Sequence, residues 1–249
     1  MICDAHVHVG DLGDDRTARE FKPTEIAAVL KRQGVDEFIF SSMNAQKGLS
    51  FEVVERDAVE TKAAFGQGAH AFYWLAGRFY DADPDLKALD SGIWDGVKLH
   101  EKETPWVKER AKDLDRILSL LEERGVPVQF HTGEDVGCYP HELLPFVKRH
   151  PGLRVDFAHC RPYRETISCL KKCPNLFTDT AFMPPEYYAA LVAADVEDRV
   201  MFGTDLPIQA GFYDGTIDEL YAHDLAAARE AGYSEAVMSG NFHRFLGKA

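Results

Sequence analysis

The sequence lacks the features of several protein classes. Its 249 residues contain no apolar run that approaches the ~20 residues of a membrane span. The N-terminus lacks the basic-then-apolar layout of a secretion signal, so we expect no removable leader. Five cysteines form no disulfide framework in a chain of this length, which favours a reducing, cytoplasmic location.

Basic residues are also scarce. The chain has 28 Lys and Arg against 41 Asp and Glu, and its formal net charge is −13. Because nucleic-acid binding depends on neutralising phosphates with Lys and Arg, this balance disfavours a general nucleic-acid surface. We expect a soluble protein that binds a small-molecule substrate and neither nucleic acid nor membrane, with a homodimer as an open option.

Short apolar runs rich in β-branched residues alternate with helical periodicities. The runs lie at residues 2–8, 35–41, 70–76, 94–99, 126–131, 154–158, 175–180 and 199–203. Continuous apolar strands are typical of a parallel sheet covered on both faces. Eight such strands predict a single (β/α)₈ TIM-like barrel domain over residues 1–249. A doubly wound open sheet is the alternative, but the first βα turn lacks a Gly-rich phosphate fingerprint.

Capping residues and glycines indicate where the intervening helices begin and end. Thr24 and Ser50 are placed to cap helices that stop near Gly34 and Gly66. Proline near the first turn marks three further helices. The predicted helices cover residues 24–33, 50–65, 107–124, 140–150, 162–172, 184–194, 216–231 and 234–246.

The first strand contains the most informative local motif, His6-Val7-His8. Because side chains alternate along a strand, both histidines point to the same face, ~6–7 Å apart along the backbone. Two neutral imidazoles on one face can bind a divalent metal. On this motif alone, two surface histidines are the simpler interpretation. A metal site requires further ligands at the ends of other strands.

Four later strands supply such residues where their apolar runs stop. These residues are Lys98 and His100 after the fourth run, His131 after the fifth, His159 after the sixth and Asp205 after the eighth. In a barrel of this kind, reactive residues gather at the carboxyl ends of the strands. Individually, each has an ordinary structural interpretation, such as a hydrogen-bonded histidine or a turn-forming aspartate. Together with the N-terminal motif, they indicate a metal site.

These segments resemble the motifs of the amidohydrolase superfamily. Within it, they resemble the amidohydrolase-related branch that includes aminocarboxymuconate semialdehyde decarboxylase-like enzymes. The matching segments are Asp4-Ala5-His6-Val7-His8, Gly96-Val97-Lys98-Leu99-His100, Phe130-His131-Thr132-Gly133, Ala158-His159, Gly203-Thr204-Asp205-Leu206-Pro207 and residues 240–247. They span the chain in the order that the family requires. As a set they are specific for the superfamily but not for a substrate.

The resemblance implies the same barrel fold and one divalent ion, Zn²⁺ in the first instance. The implied ligands are His6, His8, His131 and Asp205. It also implies that His159 contacts the metal-activated water or the substrate, and Asp205 is placed to carry a proton from the water to the leaving group. In some relatives, the lysine at the position of Lys98 is carboxylated and bridges two ions, so the presence of a second ion stays an open alternative. In the branch itself, this lysine is usually unmodified.

Two residues are expected to bind substrate. His100 lies on the same strand face as Lys98 and would point into the same pocket. Arg161, two residues after His159, can pair with a substrate carboxylate through two hydrogen bonds. A salt bridge on the barrel rim explains Arg161 equally well.

Three classes of function compete. The leading one is a metal-dependent hydrolase that attacks a small amide, ester or lactone through a metal-activated water. The second is a lyase, either a non-oxidative decarboxylase or a hydratase of a carboxylated substrate, because relatives with the same constellation catalyse such reactions. A TatD-like metal nuclease comes third, since that class expects glutamate at the position of Lys98 and a more basic surface.

Overall fold

The computed structural model describes residues 1–11 and 19–248. In chain order its strands are β1 (Cys3–Asp11), β2 (Glu20–Phe21), β3 (Glu37–Ser42), β4 (Ala69–Trp74), β5 (Trp94–Leu99), β6 (Val128–Phe130), β7 (Val155–Phe157), β8 (Leu176–Asp179) and β9 (Val200–Met201). They pair in the order β2-β1-β3-β4-β5-β6-β7-β8-β9, and only β2 is antiparallel to its neighbour. Apart from the two-residue β2, each strand falls on one of the predicted runs, so the strand prediction is confirmed.

The last strand returns to the first and closes the sheet. Backbone hydrogen bonds of 2.7–2.8 Å join residues 5–8 to residues 202–206. Val7 and Leu206 form an isolated parallel bridge along the same seam. The predicted (β/α)₈ barrel is therefore confirmed, and the open doubly wound sheet is excluded because consecutive parallel strands are neighbours all the way round.

Helices pack on the outside of the barrel. They are α1 (Pro23–Arg32), α2 (Phe51–Phe65), α3 (Gly77–Ala82), α4 (Trp106–Glu109), α5 (Ala111–Arg124), α6 (Pro140–Arg149), α7 (Tyr163–Leu170), α8 (Tyr188–Ala193), α9 (Ile217–Glu230) and α10 (Asn241–Leu246). In α9, Thr216 and Glu219 form a complete capping box, as the sequence pattern favours. Within the described ranges, no helix is both long and apolar enough to cross a membrane.

Several predicted helix details are wrong. Lys22, not Thr24, is the N-cap of α1, because Pro23 takes the first helical position with its φ already suited to it. The predicted helix over 107–124 is interrupted at Arg110, whose guanidinium contacts Asp81 and Asp113 and so ties α3 to α5. The short α3 itself was not predicted.

The last two irregularities concern predicted helices that are only partly α-helical. The segment 184–194 begins with a 3₁₀ turn over Pro185–Tyr187 before α8. The segment 234–246 contains a π-helical stretch, Ala236–Gly240, before α10. Periodicity alone does not distinguish these tighter or wider turns from a regular α-helix.

An aromatic plug fills the amino-terminal end of the barrel interior. Its buried members are Cys3, Ala5, Ile39, Phe72, Phe177, Met201, Phe242 and Phe245. Gly96 in β5 makes room for it, since a Cβ at that position would clash with the ring of Phe72. The register of β1 against β3 shifts between Asp4 and Val7, at the transition from this plug to the polar carboxyl end. In the described part of the chain, this plug fills the amino end of the interior, and the polar groups of the barrel lie toward the carboxyl end.

Candidate metal centre

The carboxyl ends of β1 and β9 bring His6, His8 and Asp205 together inside the barrel. The Nε2 atoms of the two histidines are 3.2 Å apart. Asp205 Oδ1 lies 2.9 Å from Nε2 of His8 and 3.4 Å from Nε2 of His6. All three side chains are buried. Two imidazole nitrogens and a carboxylate oxygen in so small a volume form a donor set typical of catalytic Zn²⁺ sites.

The hydrogen bonds around this group place a proton of His6 on the ring nitrogen that faces away from Asp205 and His8. His6 Nδ1 lies 3.0 Å from Asp179 Oδ2, and His8 Nδ1 lies 3.3 Å from the carbonyl oxygen of Ser41. A carboxylate oxygen only accepts hydrogen bonds, so Nδ1 of His6 holds a proton. Nδ1 of His8 also lies 3.0 Å from the hydroxyl of Ser41, which can either donate or accept. Asp205 Oδ1 is buried without a donor. Because unpaired acceptors are costly to bury together, these residues fit a divalent cation.

Lys98 extends from β5 to the edge of this donor set. Its Nζ lies 3.0 Å from Nε2 of His6 and donates to Gln129 Oε1 at 3.1 Å. Burial lowers the pKa of Lys98, although the carboxylates of Asp205 and Asp179 oppose this shift. Burial therefore favours the neutral amine, which is the form that carboxylation requires.

Three further imidazoles line the next part of the site. Nε2 of His159 lies 3.0 Å from Nδ1 of His131, and the ring of His159 is 4.8 Å from that of His6. His131 stacks on His100 at 3.9 Å between ring centroids, and His100 is parallel to Trp74. Burial lowers the pKa of His100 to about 3 and, with neighbouring charges, sets the pKa of His131 and His159 well below the usual range. All three rings are neutral at physiological pH.

The structure brings three of the four predicted metal ligands into one tight group. His6, His8 and Asp205 have donor atoms within 4.8 Å of one another, and a second group of that size joins His6, His159 and Asp179. Within the described ranges, His131 belongs to neither group and contacts His159 instead. A ligand role for His131 stays a prediction.

A cavity of about 270 Å³ opens over the site at the carboxyl end of the barrel. Among the predicted residues, its wall includes His8, Lys98, His100, His131, His159 and Asp205. Met43, Trp74 and Ile208 give one side of it an apolar character. His6 lies just beneath, covered by its neighbours.

Arg161 lies apart from this cavity, in the wall of an adjoining one of about 410 Å³. The two cavities share His159, and the second is otherwise lined by aromatic and apolar side chains such as Phe182 and Tyr163. Arg161 Nε is 3.1 Å from Glu134 Oε2, and the two side chains are 40% and 58% exposed. The salt bridge expected on the barrel rim is therefore present between Arg161 and Glu134, and both residues line the adjoining cavity.

The sequence interpretation missed Asp179, the last residue of β8. Its carboxylate is fully buried between His6 and the backbone of His159. The signal was available, because Asp179 stands at the end of the seventh apolar run and is the last residue of β8. Gln129, which contacts Lys98, carried no comparable signal because it lies inside a strand.

Comparison with known proteins gives a family match and a set of similar folds. The amidohydrolase family profile matches residues 3–248. An amidohydrolase from Burkholderia multivorans is 14% identical, with a TM-score of 0.71 and 99% of each chain covered. The Burkholderia amidohydrolase has also been crystallised with bound zinc. A search of curated protein sequences found no match to this chain.

Two other solved structures carry names that specify a reaction. A putative 2-pyrone-4,6-dicarboxylic acid hydrolase from Pseudomonas putida is 14% identical, with a TM-score of 0.71, covering 99% of this chain and 97% of that one. A 4-oxalomesaconate hydratase from Rhodopseudomonas palustris is also 14% identical, with a TM-score of 0.63, covering 100% and 96%. At such identities these structures establish the fold.

Proposed function

Since this chain belongs to the amidohydrolase family, we propose that it is a metal-dependent hydrolase of a small organic substrate that contains an amide, ester or lactone bond. The strongest support is the convergence of three buried ligand-type atoms, Nε2 of His6, Nε2 of His8 and Oδ1 of Asp205, at 2.9–3.4 Å from one another. A donor set of this kind has no evident use without a cation.

The proposed ion is Zn²⁺, held by His6, His8 and Asp205 with His131 as the fourth ligand. Zinc in the Burkholderia relative supports this choice of ion. A divalent ion in such a site activates water for attack at neutral pH and polarises a substrate carbonyl. One ion is proposed, because a second would require carboxylation of Lys98.

Asp205 is the proposed proton carrier. Burial raises the pKa of Asp205, but His6 and His8 more than offset this effect, and the pKa of the carboxyl lies below its usual range. Asp205 is therefore a carboxylate at neutral pH. It can accept a proton from the attacking water and pass it to the leaving group.

His159 is proposed to orient the water or to stabilise the developing oxyanion. Its ring lies in the wall between the two cavities, and its Nδ1 is buried without a hydrogen-bond partner. A neutral imidazole with a free ring nitrogen is suited to exchange a hydrogen bond with the reacting group. Lys98 and His100, on the wall of the metal cavity, are proposed to contact the substrate on the other side.

Arg161 is proposed to bind a carboxylate on the substrate from the adjoining cavity. Its present partner is Glu134, and both side chains are largely open to solvent. Such an exposed pair contributes only ~0–1 kcal/mol, so a substrate carboxylate can replace Glu134 at low cost. Because Arg161 and His159 both line the adjoining cavity, that carboxylate would lie in this cavity, next to the one over the metal ligands.

The second candidate is a lyase, a decarboxylase or hydratase of a carboxylated substrate. The hydratase among the similar structures favours it, as does an arginine beside the site. Both candidates would use the same metal ion, and they differ in which bond of the substrate is broken or formed.

Chelation and product analysis test both candidates. Activity on a panel of lactones, esters, amides and unsaturated acids should disappear after metal removal and return with added Zn²⁺. Release of an acid, an alcohol or an amine supports the hydrolase, whereas release of CO₂ or addition of water to a double bond supports the lyase. Activity that persists in fully stripped protein would contradict the proposed metal chemistry.

A further inference from the structure

The two carboxylate oxygens of Asp179 contact different parts of the site. Oδ2 lies 3.0 Å from Nδ1 of His6. Oδ1 accepts the backbone N–H of His159 at 2.9 Å and that of Ala181 at 3.0 Å. The side chain is completely buried, so none of these contacts competes with water.

We propose that Asp179 is a positioning residue that sets the tautomer of His6 and, at the same time, holds the turn that carries His159. This inference rests on the proposed function in one respect, because its chemical consequence is metal binding by His6. The tautomer itself is a property of the metal-free protein.

The tautomer follows from what each atom can do. A carboxylate oxygen accepts hydrogen bonds and does not donate them, so His6 Nδ1 must hold the proton. Nε2 then presents its lone pair toward Nε2 of His8 and Oδ1 of Asp205. A histidine binds a metal only through an unprotonated nitrogen, and the partner of the other nitrogen decides which one that is.

The turn after β7 needs the other oxygen. His159 and Cys160 have φ angles of 73° and 48°, so two consecutive residues other than glycine adopt the left-handed region. Asp179 Oδ1 accepts the N–H of the first of them. This bond holds the turn in the conformation that brings the ring of His159 within 4.8 Å of the ring of His6.

An amide in place of the carboxylate separates these two tasks. In Asp179→Asn, the side-chain oxygen should stay with the two backbone N–H groups, because rotating the amide would exchange two bonds of 2.9 and 3.0 Å for the His6 bond and a long contact of 3.4 Å with Nε2 of Gln129. The NH₂ group then faces Nδ1 of His6 as a donor. Nδ1 must accept, so the proton moves to Nε2, and the lone pair that a metal requires is lost.

Asp156 offers a matched control. It is also a fully buried carboxylate inside the barrel, and it accepts from Gln129 Nε2 at 2.8 Å. In the described part of the chain, none of its hydrogen bonds reaches His6 or His159. Asp156 also interacts with Asp179 itself, directly and through Gln129, but Asp156→Asn keeps the carboxylate that contacts His6, so the tautomer of His6 should stay as in the wild type.

The first measurement uses metal-free protein with ¹⁵N-labelled histidine, with the His6 signals assigned from the spectrum of His6→Ala. Long-range ¹H–¹⁵N spectra show which ring nitrogen is protonated. We expect a proton on Nδ1 in the wild type and in Asp156→Asn, and on Nε2 in Asp179→Asn. The second measurement is Zn²⁺ affinity by competition with a chromophoric chelator. We expect a loss of about 10–100-fold in Asp179→Asn and wild-type affinity in Asp156→Asn.

Clear results would overturn the inference. A proton on Nε2 of His6 in the wild type contradicts it, even if Asp179→Asn fails to fold. So does wild-type Zn²⁺ affinity in a folded Asp179→Asn protein whose His6 keeps its proton on Nδ1. If the wild type shows the expected tautomer and its change in Asp179→Asn but binds no Zn²⁺, the role of Asp179 is supported and the metal function alone fails.

Discussion

His6, His8 and Asp205 at the carboxyl end of the barrel, and Cys3, Glu37 and His243 at the amino end, each place three donor atoms within 4.8 Å of one another. By distance alone the two clusters are equivalent candidates for a metal. Their hydrogen bonds differ. At the carboxyl end, the proton of His6 lies on the far side of its ring, toward Asp179, and Oδ1 of Asp205 is buried without a hydrogen-bond partner.

At the amino end, the carboxylate oxygens of Glu37 each face a ring nitrogen that can donate a hydrogen bond. His243 Nε2 lies 2.7 Å from one oxygen of Glu37, and His70 Nε2 lies 2.8 Å from the other. Lys248 adds a positive charge 3.6 Å from Glu37. Burial and the nearby charge of Glu37 raise the pKa of Cys3 to about 12, so Cys3 remains a neutral thiol. This cluster is complete without a cation, and it fastens β3, β4 and the end of α10 together.

The comparison teaches that proximity of ligand-type residues does not identify a metal site. The arrangement of protons does, because a buried acceptor without a donor is costly whereas a donor–acceptor pair is stable. Substitutions in the two clusters therefore have different expected effects.

Removal of both histidines at the carboxyl end should have the largest effect. The His6→Ala/His8→Ala protein should lose about one tightly held ion, and kcat/KM should fall by about 10³-fold or more, since a metal ion stabilises the transition state by several kcal/mol. Elemental analysis and kinetics of purified protein check both. The matched variant Cys3→Ala/His243→Gln should keep its ion. Loss of metal from this second variant, with the first unaffected, would reverse the assignment of the two clusters.

Asp205→Asn should abolish most turnover while leaving the fold intact. The amide keeps the shape of the carboxylate but cannot accept the proton, so kcat should fall by about 10²–10⁴-fold. Steady-state kinetics together with metal content separate loss of proton transfer from loss of the ion. An unchanged kcat would remove Asp205 from the proton-transfer step.

Glu37→Gln should affect stability and not metal content. Burial would raise the pKa of Glu37, but hydrogen bonds with His243 and His70 outweigh it and lower the pKa from 4.5. A lowered carboxyl pKa stabilises the fold above the unfolded-state value and loses that contribution as the pH falls through the folded-state value. We expect Glu37→Gln to lower the free energy of unfolding by about 1–3 kcal/mol at pH 6. Urea denaturation should show this gap closing below about pH 4.5.

Lys248→Met should have the smallest effect. Its ammonium group lies 3.6 Å from Glu37, and the side chain is 45% exposed, so solvent screens the pair. The change in the free energy of unfolding should be ~0–1 kcal/mol and should shrink further in high salt. Denaturation at two ionic strengths measures it. A larger effect would mean that the lysine, rather than the two histidines, stabilises the Glu37 carboxylate.

Local patterns predicted most of the architecture. Strand positions followed from apolar runs, and the helix predicted over residues 216–231 agrees with α9. Predictions failed where contacts between distant segments overrode local preference. Arg110 interrupts a helical periodicity because its guanidinium reaches Asp81, and no local pattern reports that contact.

Strand periodicity and chain order are local properties of the chain, so the eight strands, their parallel order and the residues at their carboxyl ends could all be predicted from the sequence. Which of those residues meet depends on the folded barrel. It turned the protonated nitrogen of His6 toward Asp179, paired His131 with His159, and placed Arg161 in a neighbouring cavity. Barrel closure brings Asp205 within 3.4 Å of His6 and 2.9 Å of His8, although these residues lie at opposite ends of the chain. The hydrogen-bond directions that distinguish a metal centre from an ion pair therefore exist only in the folded protein.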